Sequence, residues 1–303
     1  MAELEVRNVQ QIGYSTLVVS LPREWVKEVG LKQGDVVSLM NEGDGTLRLL
    51  PGVAKEGREH VKCTIDADKC VDPDLLTRII TGIYIIGHDT IQITSKKGLR
   101  REHLEEIRKT TQRLTGINIV EQTLNYTTLQ NFVDPTRFPV DGLLRRLYII
   151  TSSMQDAAFR ALKEGRKEPA LEVLHMENEV DRIYWLVVRQ LLLATRDRSV
   201  GKKIGVESAL HIVGNRTVAK FLEVIGDYSE SIAKEVYRMI DLKLAPNKEV
   251  LEETYQLSDY IRDIYDKTIK AFFALDAKLA NLVAGMVEEA EEKVDSLTEK
   301  IFT

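Results

Sequence analysis

Three pairs of acidic residues in the second half of the chain share one spacing: Glu177 and Asp181 in MENEVDRIYW, Glu223 and Asp227 in LEVIGDYSES, and Glu291 and Asp295 in AEEKVDSLTE. On an α-helix the members of each pair stand one turn apart, where two like charges repel unless something positive lies between them. Carboxylates gathered from neighbouring helices suit hard or borderline cations that prefer oxygen. Spacing alone is a weak signal. With 47 acidic residues in 303, about four such pairs arise by chance in a helical stretch of this size.

The surroundings say more. At 100° per residue, the apolar arc of the helix around residue 225 runs through Phe221, Val224, Ile225, Tyr228, Ile232, Val236 and Met239, which leaves Glu223 and Asp227 facing outward. Glu177 and Asp181 fall on the shoulder of the stripe through Val173, Val180, Ile183, Tyr184, Val187 and Leu191, and Glu291 and Asp295 miss the stripe through Val283, Val287, Val294 and Ile301. None of these positions suits a buried general acid. Two readings remain: a surface patch holding a cation, or a solvated face on which Arg182, Lys220 and Lys234 neutralise the acids.

Other chemistries lack their parts. A ferritin-like di-iron site needs an inward-facing ExxH motif on each of two helices. The chain has one, Glu172 to His175, and His175 lies nearly opposite its helix's apolar stripe. His60, His88, His103 and His211 are scattered and read as structural or surface residues. GxSxG and Walker patterns are absent, and neither cysteine, Cys63 or Cys70, has a recognisable His partner. An enzyme is not expected. The two cysteines form neither a disulfide framework nor a zinc pattern, no run of about 18 apolar residues occurs, and the N-terminus lacks the plan of an export signal, so a cytoplasmic protein without membrane insertion is expected.

These side chains must be positioned by three zones of different composition. Their boundaries are expected at 1–54, 55–138 and 139–303. The net charge of −5 divides into −2 over 1–54, +1 over 55–140 and −4 over 141–303, so no zone is basic enough to announce nucleic acid. Residues 4–50 alternate in strand fashion, with REWVKEVG as a short helix closed by Gly30 and GDG as a tight hairpin. So few strands cannot bury both faces of a sheet, and pairing with a second copy solves that. Residues 58–132 read β-α-β-α-β, with a helix start at Asp72 and Pro73, a stop at Gly116, and the run GINIVEQTLNYTTLQNF as the final strand. The expectation is an α/β sandwich of ferredoxin-like type. KKGLRREHLEEIRK mixes both charge signs and reads as a solvated helix face before a basic ligand patch. After FVDPTRFPVDGLL, helices are expected near 141–164, 167–196, 205–243, 247–275 and 277–302, forming a bundle. Trp25 and Trp185 fall in apolar helical patterns and read as core.

Two stretches resemble known families. IGYSTLVVSLPREWVKEVGLKQGDVVSL is similar to the AbrB/SpoVT swapped-hairpin domain, a likeness covering residues 3–52. It implies a small intertwined dimeric barrel, and in many members DNA binding by arginines of the first loop and strand. Here Gln10 and Gln11 stand where basic residues are expected, leaving Arg7 and Arg23 for that role.

The helical region repeats itself: FRAL at 159–162 returns as FFAL at 272–275, and ENEVD at 177–181 as EEKVD at 291–295. This repeat, with LEVIGDYSESIA, resembles the PhoU family of phosphate-uptake regulators over residues 141–303. The resemblance implies two three-helix repeats with metal, often multinuclear iron or zinc, on carboxylates at the bundle surface. Glu177, Asp181, Glu223 and Asp227 would form one site. Glu291 and Asp295 would belong to a second, whose other helix would begin shortly after Thr303, so the second repeat is expected to be incomplete. The implied cofactor is a divalent or multinuclear metal, iron, zinc or magnesium. The implied partners are a second copy of the chain and a phosphate transporter component or signalling protein. A DNA-binding transcriptional regulator with a sensory bundle is the alternative.

Overall fold

A computed structural model describes residues 5–41, 45–53, 61–244 and 247–302, and the chain divides into two compact units, 1–59 and 60–303. In the first unit β1 (Gln10–Ile12) pairs antiparallel with β2 (Thr16–Val18), and β3 (Val37–Asn41) pairs antiparallel with β4 (Leu47–Pro51). Helix α1 (Arg23–Glu28) lies between the hairpins, behind Pro22, and ends at Gly30, whose φ of +71° favours glycine. Most of the expected GDG turn, Gly43 and Asp44, lies outside the described residues. No described residue of this unit is fully buried, and Trp25 is only half-buried. Ile12, Leu17 and Leu39 are each at least 60% exposed, so the described residues of the hairpins enclose no core.

The second unit opens with an α/β sandwich: β5 (Lys62–Asp66), α2 (Leu75–Ile85), β6 (Thr90–Thr94), α3 (Arg101–Arg113), β7 (Ile117–Gln122) and β8 (Tyr126–Asn131). The sheet order is β5-β6-β8-β7; β5 and β6 run parallel and the other neighbours antiparallel. The expected last strand is in fact a hairpin, because the chain turns between Gln122 and Tyr126. That makes the element order βαβαββ. It differs from the βαββαβ order of a ferredoxin-like domain, and the ferredoxin-like expectation is corrected on that ground. Alternate residues Ile91 and Ile93 of β6 point into a core closed by Leu76, Ile80 and Tyr84 of α2 and Ile107 of α3. Helix α2 starts at Leu75, later than the Asp72–Pro73 signal suggested, because Asp74 takes a left-handed conformation first. Gly116 has φ +81°, and a Cβ there would lie 2.0 Å from the Val133 side chain, so only glycine fits.

The remaining helices are α4 (Val140–Glu164), α5 (Lys167–Arg196), α6 (Arg198–Lys203), α7 (Ala209–Asp241), α8 (Lys248–Ala274) and α9 (Ala277–Phe302). The short α6 occupies the expected RDRSVGK break, its first turn capped by the Asp197 carboxylate, which accepts the Ser199 and Val200 N–H groups. Helices α4, α5 and α7 pack as a three-helix bundle. The face of α7 in this core is Asn215, Ala219, Leu222, Gly226, Ser229, Ala233 and Val236. This corrects the arc read from hydrophobicity: Phe221 and Tyr228 are 65% and 68% exposed, and Glu223 is buried at 8%. Small residues were chosen over large ones because three helices cross closely there. A Cβ on Gly226 would stand 3.2 Å from Val180 and 3.3 Å from Thr151. Helix α8 leans on α4 through a Tyr148–Tyr265 edge contact at 5.2 Å and a 2.7 Å hydrogen bond between the Thr151 and Tyr265 hydroxyls. Helix α9 packs on α8.

Helix α5 also holds the sandwich. Arg189, 1% exposed, donates to the carbonyls of Tyr84 and His88 and to the Asp89 carboxylate at 3.1 Å, while lying 4.8 Å from the Tyr84 ring centroid. The Gln190 amide donates to the carbonyls of Pro135 and Phe138. Removing one partner of a buried pair leaves the other charge without compensation. Arg189→Met is therefore expected to lower the stability of the 60–303 unit by about 3–5 kcal/mol, read from the denaturant midpoint of the intact chain; an unchanged midpoint would contradict this account of the joint.

Candidate functional site

Gly226 and Val180 set the distance between α7 and α5, and this brings the first two acid pairs into one electrostatic environment. Glu177 is half-buried, and its carboxyl is pushed up to about 7, first by burial and then by Asp181, Glu230 and Asp227, against the pull of Arg113. Glu223 is raised as well, by burial and by Asp227 and Asp181, while Lys220 opposes the shift. Asp227 is exposed, yet the desolvation it does feel raises it, with Asp181 and Glu230 adding and Lys220 opposing. Glu177 feels Asp227 and Glu230 of the opposite helix, and Glu223 and Asp227 feel Asp181. The structure thus joins Glu177, Asp181, Glu223 and Asp227 into one acidic cluster.

Basic side chains hold two of the four. Asp181, 7% exposed, accepts a hydrogen bond and ion pair from Arg113 at the end of α3, and Glu223 pairs with Lys220 one turn back on α7. Lys220 was in view from the sequence. Arg113 was not, since it lies 68 residues from Asp181 and no spacing links them. Glu230 was also missed, although 223, 227 and 230 follow the i, i+4, i+7 stripe of a helix face and the signal was available. Its partner is Lys234, at 2.7 Å.

The other predicted residues lie elsewhere. Glu291 and Asp295 are exposed on α9 and are not among the charges that shift the cluster. In the first unit, Arg7 pairs with Glu5, and Arg23 is the exposed first residue of α1. Of the scattered histidines, His103 is buried, bonded to Arg100 and within 3.3 Å of the Cys70 carbonyl, a structural role.

The donor set fits a cation that prefers oxygen: four carboxylates, three of them raised by burial and mutual repulsion. Among the described residues, no three Asp, Glu, His or Cys side chains are already arranged to hold one. Arg113 and Lys220 each occupy one oxygen, of Asp181 and Glu223 respectively, and a metal would compete with them for these carboxylates.

Comparison with known families gives two matches in this chain. The PhoU domain matches residues 144–236, and the family described as antidote-toxin recognition MazE, bacterial antitoxin, matches residues 10–57. No curated protein and no solved structure matches the chain. The PhoU match spans most of α4, all of α5 and α6 and most of α7, including all four clustered carboxylates, and stops before Glu291 and Asp295.

Unfolded, Glu177 ionises near 4.5; folded, near 7. Between those values the folded chain holds the proton more tightly, so the stability associated with Glu177 falls as pH rises from about 4.5 to 7 and stays low above. Glu177→Gln is expected to stabilise the metal-free protein by about 1 kcal/mol at pH 8, after allowance for solvent screening, and by much less at pH 5. Melting curves at the two pH values check this, and an equal effect at both would refute it.

Proposed function

We propose that this chain, with a PhoU domain in its helical half and a MazE-like segment at its start, regulates phosphate uptake or phosphate signalling through protein–protein contacts. One observation carries the reading: the α5–α7 acid cluster lies inside the matched PhoU segment. Glu177, Asp181, Glu223 and Asp227 would hold a divalent or multinuclear metal, whose positive charge would offset their repulsion and cross-link α5 to α7. No helix among the described residues is long and apolar enough to cross a membrane, so contact with a transporter would be made through that partner's own exposed surface.

The first unit supports self-association. Val36, Leu39 and Leu47 are each more than half exposed on strands or flanking backbone, and no described residue around them is buried. A second copy would cover them and pair the hairpins. DNA binding gains no comparable support, because Arg7 is already paired with Glu5 and the zone's charge is −2.

In cells of the source organism, loss of this chain is expected to change radiolabelled phosphate uptake under phosphate-replete conditions. The wild type should restore it and a Glu177→Ala, Asp227→Ala variant should not. Purified wild type should also retain iron, zinc or magnesium that the double variant loses by at least half. Unchanged uptake would refute the regulatory role, and equal metal content would refute the metal. For self-association, Leu39→Glu in the full chain is expected to halve the mass measured by light scattering; a mass unmoved by the substitution, or monomeric in the wild type, would argue against pairing through these hairpins.

A further inference from the structure

A cleft of about 670 Å³ opens between α3 and α5, beside the acidic cluster but on the basic side of Arg113. Three permanent cations line it: Lys109 and Arg113 from α3, and Arg182 from α5. Two of them are uncommitted, since neither Lys109 nor Arg182 has an ion-pair partner among the described residues. Lys109 also borders a neighbouring hollow lined by Asp72, Asp74, Glu102, Glu105 and Glu106, of which Glu105 accepts from Arg101 and Glu106 from the Thr77 N–H. Glu179, the one carboxylate in the cleft's own lining, is neutralised by Arg146 of α4. The amides of Gln112 and Asn178 add N–H donors, and His175, the odd half of the di-iron pattern, completes the wall.

Two guanidinium forks and an ammonium match the oxygens of phosphoryl groups, the arginines in bidentate fashion and the lysine as a point charge. The volume falls within the range of small-molecule pockets and exceeds what a single phosphate fills. The lining has no aliphatic side chain, and its one aromatic ring, the imidazole of His175, is the smallest platform on which a nucleobase could stack. We propose that this cleft binds an inorganic condensed phosphate, pyrophosphate or a short linear polyphosphate, gripped by Lys109, Arg113 and Arg182. The ligand would share Arg113 with Asp181, so the anion and the acidic cluster draw on one guanidinium. The proposal stands on the cleft's own residues and does not require the metal.

The test uses calorimetric titration of the full chain at low salt, where charge contacts are least screened, with pyrophosphate, tripolyphosphate, orthophosphate and ATP. The probing variants are Lys109→Ala and Arg182→Ala, whose exposed side chains hold nothing else in place; Arg113 is left intact because it also holds Asp181. Pyrophosphate or tripolyphosphate is expected to bind at least tenfold more tightly than orthophosphate. Each variant should weaken that binding by roughly tenfold with no change in melting temperature. The proposal is overturned if neither condensed phosphate binds, if both variants bind as well as wild type, if orthophosphate binds equally well, or if ATP binds tenfold more tightly than tripolyphosphate, which would mean that a base is recognised.

Discussion

The close crossing of α7 over α5 at Gly226 is the constraint on which the helical half depends. A helix buries this much length only if its contact face is small, and α7 meets the condition with Ala219, Gly226, Ser229 and Ala233 along one stripe. Glycine in mid-helix costs about 1 kcal/mol relative to alanine. The cost is offset by contact with Val180 and Thr151 at distances that leave little room for a methyl group. The same approach forces Glu223 and Asp227 toward Glu177 and Asp181. Packing and electrostatics therefore oppose each other at one point, and burial of apolar surface along three long helices is the larger effect. The raised carboxyl of Glu177 is the visible residue of that conflict.

Two arginines of opposite burial tie α5 to the α/β sandwich, and one of them, Arg113, answers the conflict by pairing with Asp181. Arg189 is fully enclosed and satisfied by two carbonyls and a carboxylate, a fixed joint whose charge never meets solvent. Arg113 is different, with 41% of its side chain exposed while its partner Asp181 is nearly covered. A half-exposed guanidinium exchanges partners at lower cost than an enclosed one, because water can solvate it in transit. The sandwich is thus anchored at one point and responsive at another about two turns away along α5, and any ligand competing for Arg113 changes the charge felt by the acidic cluster.

What could be read from the sequence follows the same physics. Long helices, their breaks and the acid pairs were legible because they are local: propensity, caps and i,i+4 spacing act within a few residues. The buried face of α7 was not, since hydrophobicity ranks Phe221 and Tyr228 above Ala219 and Gly226, whereas close crossing selects for small volume. The extra turn in GINIVEQTLNYTTLQNF was also hidden. It contains no glycine or proline between the strands, and the hairpin is closed instead by the Thr123 side chain, which accepts the Asn125 and Tyr126 N–H groups. Arg113 lay beyond any local argument, being brought to Asp181 only when the sandwich docks on α5.

The two halves of the chain solve the problem of the core differently, and this bears on how a signal would travel. Between 60 and 303, two apolar clusters share Ile85 and Trp185, so α2 of the sandwich and α5 of the bundle are packed through common side chains. A shift in either cluster is felt by both, because close-packed interiors transmit displacement. The first unit has no interior of this kind among its described residues. Ile12, Leu17 and Leu39 are exposed there, and a second copy covering them, as proposed above, would supply the missing interior. If the proposed self-association and the proposed anion site both hold, an association equilibrium in the first unit and a charge equilibrium around Arg113 would be separate devices in one chain, the first set by protein concentration and the second by ions.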